Sequence, residues 1–448
     1  MPTSTLCACI ICRDSAETIK PCLESLKGVD SICLTDTGSK DNTKEIAIET
    51  CKELGISLVL TDFGWVDDFA KARNYNFSMA PESDWLLWVD SDDVVENLPA
   101  LLEFIKQLNP KQGCVWLPYF YAFDEFGNCT TLFIRERLLR RSVGWAWINR
   151  VHEVVAPKTQ TEFVRFNDTI IRHGHRSGES RSGRNMKLLN LMLDESPLDY
   201  RVWLYKAHQN FADQNYLDAA EWYLKFASQP TVAPIEKFQA LTYAARSLRT
   251  LGAHQQAVNC DLQAVELFPH WADGYIGLCQ DYIGLGQFGK SIYWGLQARE
   301  RQVPDELIFI NPLDYKFNLP VSMAEAYLRS GDIQSATEET KQANLIRPTE
   351  ELANNLELFR VAQLREIAVK GFKALSKELI SAGETLRLAK LLDSMPAWMR
   401  ELAEGTTIQQ QISHALVRRP TPQSLTTNTD KTLYAGTDFF STPNHKYY

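Results

Sequence analysis

The sequence predicts an α/β domain at the N-terminus followed by an all-α domain of helical repeats. Over residues 6–105, apolar runs of strand length alternate with amphipathic segments, a pattern typical of a parallel sheet with helices on both faces. From about residue 185 the pattern is helical throughout, and two glycines within it, Gly252 and Gly286, stand 34 residues apart. A fixed period of this length indicates an array of stacked helical hairpins.

The α/β pattern resolves into four strands and two helices. The strands are LCACIIC, SICLTD, ISLVLTDF and DWLLWVDSDD; the helices SAETIKPCLESLKGV and DNTKEIAIETCKELG follow the first two strands, and the second helix ends at Gly55. Residues 114–171 are dense in aromatic and turn residues. That composition predicts β structure with a hairpin tip at DEFGN, which would complete the domain and frame an acceptor site.

Charge and composition narrow the function classes. The 448-residue chain has 45% hydrophobic and 23% charged residues, which is ordinary for globular proteins and sufficient for several cores. Its formal net charge of −9 disfavours a nucleic-acid partner unless a local basic face exists. The best candidate for such a face is the run Arg135–Arg150, with five arginines and a single acid.

Targeting signals and cysteine usage indicate a reduced compartment. The first apolar run is short and follows no basic region, so it predicts a strand rather than a signal peptide. No segment approaches the 18 to 20 apolar residues of a membrane span, and a cytoplasmic protein is therefore expected. The ten cysteines follow no disulfide spacing, and Cys7, Cys9 and Cys12 are expected to be buried small hydrophobes rather than metal ligands.

Acidic residues at the strand ends are candidates for a functional site. Asp36 ends the second strand, and Asp90, Asp92 and Asp93 close the fourth, at the edge where ligands of such sheets gather. Because side chains alternate along a strand, Asp90 and Asp92 are expected to point to one side. Two carboxylates suit Mg²⁺ or Mn²⁺, which neutralises a diphosphate. Alone, an Asp-x-Asp pair is a weak signal, because acidic turns after strands are common.

Three motifs, taken in order, give the N-terminal part a family resemblance. They are LTDTGSKDNT at 34–43, the Ala-Arg-Asn of DDFAKARNYNFSMA at 67–80, and DSDD after an apolar strand. Together they resemble the inverting family 2 glycosyltransferases of GT-A fold, a Rossmann-like nucleotide-sugar-binding fold. GWVDDFAKARN followed by WVDSDD is similar to the branch that carries tetratricopeptide repeats (TPRs) behind the catalytic domain. The resemblance implies a nucleotide-sugar donor, with UDP expected, and a divalent metal, Mn²⁺ or Mg²⁺.

The resemblance also implies roles for residues on the donor side. Asp36 would hydrogen-bond the nucleotide base, and Asp90 would face the ribose with Ser91 beside it in the donor site. Asp92, the last acid of the Asp-x-Asp, would coordinate the metal. Arg73 would lie near the donor and hold Asp36 or the ribose, although a structural ion pair is an equally good interpretation.

On the acceptor side, the family pattern has a glycine-containing loop. Gly144, in SVGWAWINR, is predicted to form this loop, with His152 following it. Most aromatic residues of this region are expected in the core. Trp145 and Trp147, next to the glycine, are the expected exceptions that contact a sugar or acceptor.

The family pattern continues with an acidic base and a later histidine that reaches the metal. Glu153 is predicted to be the catalytic base that takes the acceptor's proton. His173 is predicted to join Asp92 as a metal ligand, with His152 and then His175 as alternatives. That branch usually has an aromatic residue where this chain has His175, and it has an acidic residue, Ala, Asp and Glu where this chain has DSDD. These differences weaken the assignment to the branch more than the assignment of activity.

The resemblance and the repeats together divide the chain. The predicted parts are a GT-A domain at 1–185, TPR-like repeats at 186–350 with an insert near 306–316, a helical cap at 351–418 and a flexible tail at 419–448. Repeats present surfaces to proteins, which predicts a protein or peptide acceptor or a homodimer. Two alternatives stay open: a scaffold whose GT-A domain has lost catalysis, and a phage-type glycosyltransferase acting on modified nucleic-acid bases, for which the run Arg135–Arg150 is the only support.

Overall fold

The computed structural model describes residues 4–174 and 182–396. Within these residues, a nine-stranded sheet forms the centre of the N-terminal part. Its first strands are β1 (Leu6–Cys12), β2 (Ser31–Asp36), β3 (Ser57–Asp62) and β4 (Trp85–Asp90). They run parallel in the order β3-β2-β1-β4. The parallel arrangement predicted for this segment is therefore confirmed.

Three helices cover both faces of this half of the sheet. They are α1 (Ile19–Ser25), α2 (Thr43–Leu54) and α3 (Phe69–Met79). Ile19 of α1 packs with Ile10 of β1 on one face, whereas Ala70 of α3 packs with Cys9 on the other. Helix α2 ends as predicted at Gly55, which adopts the left-handed conformation. Helix α1 is shorter than predicted, because the carbonyl of Ser15 accepts the N–H of Ile19 in a turn that precedes the helix.

The second half of the sheet mixes strand directions. It contains β5 (Asp93–Glu96), β6 (Gln112–Phe123), β7 (Cys129–Arg140), β10 (Glu162–Arg165) and β11 (Ile170–His173), with α4 (Leu98–Ile105) and a separate ribbon of β8 (Trp145–Ile148) and β9 (Val154–Pro157). After β4 the order is β7-β6-β11-β5, and β10 pairs with β6. Since β7 is antiparallel to β4, the whole sheet is mixed. The hairpin tip predicted at 124–128 joins β6 to β7.

Strand β1 lies at the centre of the core. All seven of its residues are buried, because helices cover both faces of the sheet, and a side chain such as Ile10 contributes about 2 kcal/mol by its burial. All ten cysteines are free, and every one except Cys129 is buried. Burial raises the pKa of the Cys33 thiol to about 12. Cys7, Cys9 and Cys12 are buried, as predicted.

The rest of the described chain consists of helices that pair into hairpins. They are α5 (Ser182–Glu195), α6 (Tyr200–Ala212), α7 (Tyr216–Ala227), α8 (Pro234–Thr250), α9 (His254–Leu267), α10 (Asp273–Gly284), α11 (Phe288–Arg299), α12 (Leu319–Arg329), α13 (Ile333–Ile346), α14 (Glu350–Ser381) and α15 (Thr385–Asp393). Gly252, Gly286 and Gly331 each take a positive φ in the turn inside a hairpin. Gln214 takes the same conformation between α6 and α7. None of the described helices is long and apolar enough to cross a membrane.

Contacts between residues divide the chain near Met323 rather than near residue 185. One compact unit runs to Met323, and a second begins at Ala324. The predicted boundary at 185 falls inside α5, whose Leu188 and Met192 pack with Val151 of the sheet region. The sheet and the first helical hairpins thus share one unit. The predicted tail at 419–448, and the predicted cap beyond residue 396, lie outside the described residues.

The predicted insert connects the sheet to the hairpins within the first unit. We call residues 300–318, between α11 and α12, the α11–α12 segment. Ile310 in this segment exchanges two backbone hydrogen bonds with Leu132 of β7, each 2.8 Å long. The segment therefore adds a short antiparallel contact to the sheet, which the sequence pattern did not predict.

Candidate functional site

The acidic residues predicted at the end of β4 meet a histidine from β11. Asp90 is the last residue of β4, and Asp93 is the first residue of β5, so Asp92 lies in the turn between the strands. His173 pairs with Asp93 across the antiparallel β5–β11 ladder. One ligand atom each from Asp92, Asp93 and His173 lies within 4.8 Å of the others. The structure thus brings together the two residues predicted to hold a metal and adds a third.

Asp93 is held by several partners inside the protein. Its carboxylate lies 3.1 Å from the Arg137 guanidinium, and both side chains are fully buried. It also accepts hydrogen bonds from the hydroxyl of Tyr119 at 2.9 Å and from the backbone N–H of Asp90 at 3.0 Å. The rings of Trp88 and Tyr119 contact the guanidinium, with centroids 3.8 and 4.2 Å from its central carbon. These partners therefore fix the Asp93 carboxylate in position.

His173 is oriented by these carboxylates. Its Nδ1 lies 3.0 Å from Asp93 and 3.6 Å from Asp92. Burial lowers the pKa of His173, but the hydrogen bond to Asp93 and the charge of Asp92 raise it more, so the net pKa is above its ordinary value. Two carboxylates and an imidazole are ligands that suit Mn²⁺ or Mg²⁺. The residues present therefore fit the divalent cation that the sequence predicted.

Arg73 joins two predicted site residues. Its guanidinium lies 2.5 Å from Asp90 and 2.6 Å from Glu153, and Trp88 and Trp147 lie 4.8 and 5.1 Å from it. Burial raises the pKa of Asp90, but the charge of Arg73 outweighs this effect and holds that pKa well below its ordinary range. Arg73 thus makes ion pairs within the protein, which was one of the two interpretations of the sequence. Its hydrogen bonds go to Asp90 and Glu153 and not to Asp36.

Glu153 reaches the site from the loop between β8 and β9. Its side chain is largely buried, with 13% of its surface exposed, and its backbone carbonyl accepts a hydrogen bond from Arg135 at 3.3 Å. Through Arg73, the predicted base is placed next to the predicted ribose ligand, Asp90.

The other predicted donor residues are buried and hydrogen-bonded. Asp36 is only 1% exposed, and its carboxylate accepts the backbone N–H groups of Gly38 and Ser39 at 2.7 and 2.8 Å. Asp36 therefore lies at the expected strand end and holds the loop that follows. Ser91 is also buried and its hydroxyl lies 2.9 Å from that of Ser15, so it fastens the loop after β1 to the acidic turn. This geometry does not support the predicted contact between Ser91 and the donor.

Gly144 of the predicted acceptor loop lies far from Asp90. Gly144 follows Arg140, which pairs with Trp85 at the start of β4. Asp90 lies at the other end of this strand, about 17 Å away at the usual rise per residue. Gly144 adopts a positive φ and packs beside Lys158, which accounts for a glycine there. The loop at Gly144 leads the chain into β8 and does not border the carboxylates at the end of β4.

The aromatic and histidine residues predicted for that loop lie in the core. Trp145 and Trp147 are 7% and 3% exposed, and Trp147 packs edge-on against Trp88. His152 is half-buried and stacks on Tyr205 of α6, with ring centroids 4.7 Å apart. Burial lowers the pKa of His152 to about 4. Among the described residues, the metal-ligand cluster contains His173 and not His152; His175 lies outside the described residues.

The predicted basic run is not a basic surface. Each of its arginines has a partner within the protein: Arg135 contacts Glu136, Arg137 contacts Asp93, Arg140 contacts the carbonyls of Asn109 and Gln112, Arg141 those of Ala80 and Pro81, and Arg150 contacts Glu195. The arginines are neighbours in sequence but contact different partners, because the run passes through β7 and the turn that follows it. The alternative of a nucleic-acid acceptor loses its only support.

Two sets of site residues were missed from the sequence. Tyr119 and Arg137 come from β6 and β7 and meet Asp93 only because these strands lie next to β4 and β11. Asp41 accepts the backbone N–H of Ala16 at 3.0 Å and fastens the loops after β1 and β2 together. A signal for this role was present, since Asp41 belongs to the DTGSKDNT motif. For Arg137, no local signal distinguished it from Arg135 and Arg140 of the same strand.

Comparison with known proteins identifies the N-terminal part. Residues 7–182 match the family model described as Glycosyl transferase family 2. The N-terminal domain belongs to this family. Within the family 2 domain, the match includes all strands from β1 to β11, and therefore every site residue described above. The α/β fold class predicted from the sequence is confirmed.

Further similarities concern the helical part and the chain as a whole. A TPR repeat-containing protein of Synechococcus elongatus is 44% identical over 106 residues, which are 23% of this chain and 24% of that protein. The chain thus spans about a quarter of that relative's length. The helical hairpins agree with this TPR character. MamA matches with a TM-score of 0.30 and 18% identity over 37% of this chain and 89% of MamA.

A glycosyltransferase is also among the solved structures that match. Residues 1–349 of S. aureus TarS, in complex with UDP-GlcNAc, align with a TM-score of 0.31 and 14% identity. The alignment covers 68% of this chain and 99% of TarS. TM-scores near 0.3 do not establish a common fold, so the family 2 identification depends on the sequence match alone.

Proposed function

We propose that the protein is a metal-dependent, inverting glycosyltransferase that takes a sugar from a nucleoside diphosphate sugar, with UDP as the nucleotide. The observation that carries the proposal is the cluster of Asp92, Asp93 and His173 at the carboxyl edge of a family 2 sheet. Asp90 precedes this cluster and is linked through Arg73 to Glu153, and Asp36 ends β2 at the same edge of the sheet. This placement agrees with a donor site at the ends of parallel strands.

Asp92 and His173 would hold the cation, and Asp93 would position His173. A divalent cation there supplies positive charge that stabilises the departing diphosphate. Asp93 supports this task because its carboxylate fixes His173 through Nδ1, as carboxylates commonly do for ligating histidines. Asp90, fixed by Arg73, would face the ribose, and the loop held by Asp36 would receive the base.

Glu153 would act as the base. The acceptor's hydroxyl oxygen bonds to the anomeric carbon while the bond from that carbon to the donor's diphosphate oxygen breaks. Glu153 takes the hydroxyl proton, and the diphosphate leaves with the electron pair. Attack on the side opposite the leaving group inverts the anomeric configuration. A scaffold without catalysis is the less supported alternative, because the acidic residues, the base and the histidine are all brought together.

The test is protection against thermal unfolding by a panel of nucleotide sugars, with and without Mn²⁺. We expect one UDP-sugar to raise Tm by several degrees only when Mn²⁺ is present. Asp92→Ala should abolish the metal-dependent part and lower donor hydrolysis by about 100-fold or more. The control is Asp168→Ala, which removes an exposed carboxylate from the same domain.

The possible outcomes separate the alternatives. Protection that needs no metal and survives Asp92→Ala would contradict the metal site. Absence of protection by every nucleotide sugar would favour the inactive scaffold. An effect of Asp168→Ala as large as that of Asp92→Ala would show that loss of charge alone explains the result.

A further inference from the structure

A row of three aromatic side chains lies beside the metal-ligand cluster. Tyr121 stacks on His173, with ring centroids 4.8 Å apart and planes 13° from parallel. Phe133 lies next to Tyr121, with centroids 5.8 Å apart, and Phe309 packs edge-on against Phe133 at 4.8 Å. Tyr121 is 40% exposed. This aromatic row (Tyr121, Phe133 and Phe309) therefore presents ring surface directly beside a candidate metal ligand.

Phe309 comes from outside the family 2 domain. It belongs to the α11–α12 segment, and its neighbour Ile310 exchanges two backbone hydrogen bonds with Leu132 of β7. This pairing places Phe309 beside Phe133, the next residue of β7. Asp305, near the start of the segment, makes an ion pair with Arg165 of β10. The sheet thus receives an aromatic side chain from the helical part of the same compact unit.

The other side of the segment is fixed to three successive hairpins. Its anchors are Phe309 on His208 of α6, with ring centroids 5.1 Å apart, Asp314 on Arg246 of α8 at 2.5 Å, and Tyr315 donating to Asp273 of α10 at 2.7 Å. Ile308, Ile310 and Leu313 are buried. The chain's own segment thus occupies helix surface that a bound peptide would need. This weakens the expectation of a peptide acceptor on α6, α8 and α10.

The strand order separates the aromatic row from the donor residues. Asp36 and Asp90 end β2 and β4, in the parallel half of the sheet. Tyr121 and Phe133 lie on β6 and β7, in the mixed half. In the order β4-β7-β6-β11, the strands that carry Phe133 and Tyr121 lie between β4, which the acids follow, and β11, which carries His173. The aromatic row therefore lies on the side of β4 that faces away from β1 and β2, and an acceptor that approaches Asp90 from this side meets the row.

We propose that the aromatic row binds a sugar ring of the acceptor, so that the helical part of the chain completes the acceptor side of the site. This inference rests on the proposed glycosyl transfer. A sugar ring presents a face of C–H groups, which packs on an aromatic ring, and hydroxyls at its edge, which bond to polar groups. Tyr121 contributes a ring that is 40% exposed. Phe133 and Phe309 position Tyr121 and extend the surface.

The experiment uses the full chain and, as probes, the methyl α- and β-glycosides of glucose and N-acetylglucosamine. Contact with each glycoside is measured by saturation-transfer NMR in the presence of UDP and Mn²⁺. Hydrolysis of the UDP-sugar donor, with water as acceptor, is measured in parallel. The variants are Tyr121→Ala, Phe309→Ala and Tyr121→Phe. The matched control is Phe126→Ala, at the tip of the same β6–β7 hairpin, because Phe126 is as exposed as Tyr121, at 40%.

We expect at least one glycoside to contact the wild-type protein. Tyr121→Ala should weaken this contact about tenfold and Phe309→Ala by a smaller factor, while Tyr121→Phe keeps most of it. Phe126→Ala should match the wild type in both measurements, and in Tyr121→Ala and Phe309→Ala the loss of glycoside contact should exceed any loss of donor hydrolysis, because the row is proposed to contact the acceptor.

Several results would overturn the inference. Wild-type protein that hydrolyses the donor but contacts none of the glycosides would exclude a sugar ring on the row. A parallel fall in donor hydrolysis and glycoside contact would give the aromatic row a structural role only. Glycoside contact that depends on Tyr121, in a protein that hydrolyses no donor, would keep the aromatic row and reject the proposed glycosyl transfer instead.

Discussion

The two halves of the sheet assemble their site residues in different ways. In the parallel half, Asp36 and Asp90 end neighbouring βα units, and each is placed by the strand that precedes it. In the mixed half, Asp93 meets Arg137 and His173 from two distant strands, and Phe309 comes from the α11–α12 segment. The residues that we propose for the donor side are therefore placed locally, whereas those proposed for the acceptor side depend on contacts between residues far apart in sequence. Substitutions in the mixed half should disturb more of the molecule than those in the parallel half.

The largest effect is expected for Arg137→Met. The change removes the only arginine that we find paired with the fully buried Asp93 carboxylate in the described residues, which costs about 3–5 kcal/mol of folding free energy. Because Asp93 positions His173, Mn²⁺ affinity should also fall by about 10- to 100-fold. Urea unfolding measures the first effect, and titration of Mn²⁺ by electron paramagnetic resonance measures the second.

Lys106→Met is the control for Arg137→Met. Lys106 pairs with Glu103 on the protein surface, where both side chains are about half exposed or more, so its removal should cost less than about 0.5 kcal/mol. If Arg137→Met were tolerated as well as Lys106→Met, and kept its Mn²⁺ affinity, the support that we assign to Asp93 and Arg137 would be wrong.

This difference between the halves also explains what the sequence could predict. Asp36, Asp90 and Asp92 were predicted because each follows an apolar strand, and Glu153 and His173 because a family pattern gives their order. The position of Gly144 could not be predicted, because the direction of β7, and with it the position of the next turn, follows from pairing with β4 that no local pattern contains. The contact between Leu132 and Ile310 joins residues 178 positions apart, and a single sequence carries no signal for it.

Arg73→Lys tests whether the two halves act together. The arginine contacts Asp90 of the parallel half and Glu153 of the loop between β8 and β9 through different nitrogens, which a lysine amine cannot reproduce. We expect kcat for donor hydrolysis to fall by about 100-fold, with Mn²⁺ affinity changed by less than about threefold. Arg141→Lys, at the opposite end of β4, is the control and should leave kcat unchanged. A fall in Mn²⁺ affinity as large as the fall in kcat would place the effect of Arg73 on the metal cluster instead.

The free energy of unfolding should depend on pH through Asp273, which accepts the hydrogen bond of Tyr315 from the α11–α12 segment. Burial raises the pKa of Asp273 from 3.8 to about 6. A carboxyl whose folded pKa is raised stabilises the folded state fully below its unfolded pKa, and this contribution is lost as the pH rises through about 6. Relative to Asp273→Asn, which does not titrate, the wild type should therefore lose about 2 kcal/mol between pH 4 and pH 7. Unfolding of both proteins at the two pH values measures this difference, and an equal response would contradict it.

The smallest effect concerns the helical hairpins, which resemble the parallel half in being specified locally. Gln214 has a φ of 62° in the turn where the later hairpins have Gly252, Gly286 and Gly331. A side chain in this left-handed conformation costs about 1 kcal/mol, part of which glycine would lose again through the greater freedom of the unfolded chain. Gln214→Gly should therefore raise Tm by about 1–2 °C. Gln287→Gly, at a φ of −100° before α11, relieves no strain and should lower Tm. If both changes lowered Tm equally, the left-handed backbone of Gln214 would not reduce the stability of the turn between α6 and α7. The stability of this first hairpin would then depend on its contacts with the family 2 domain rather than on its own sequence.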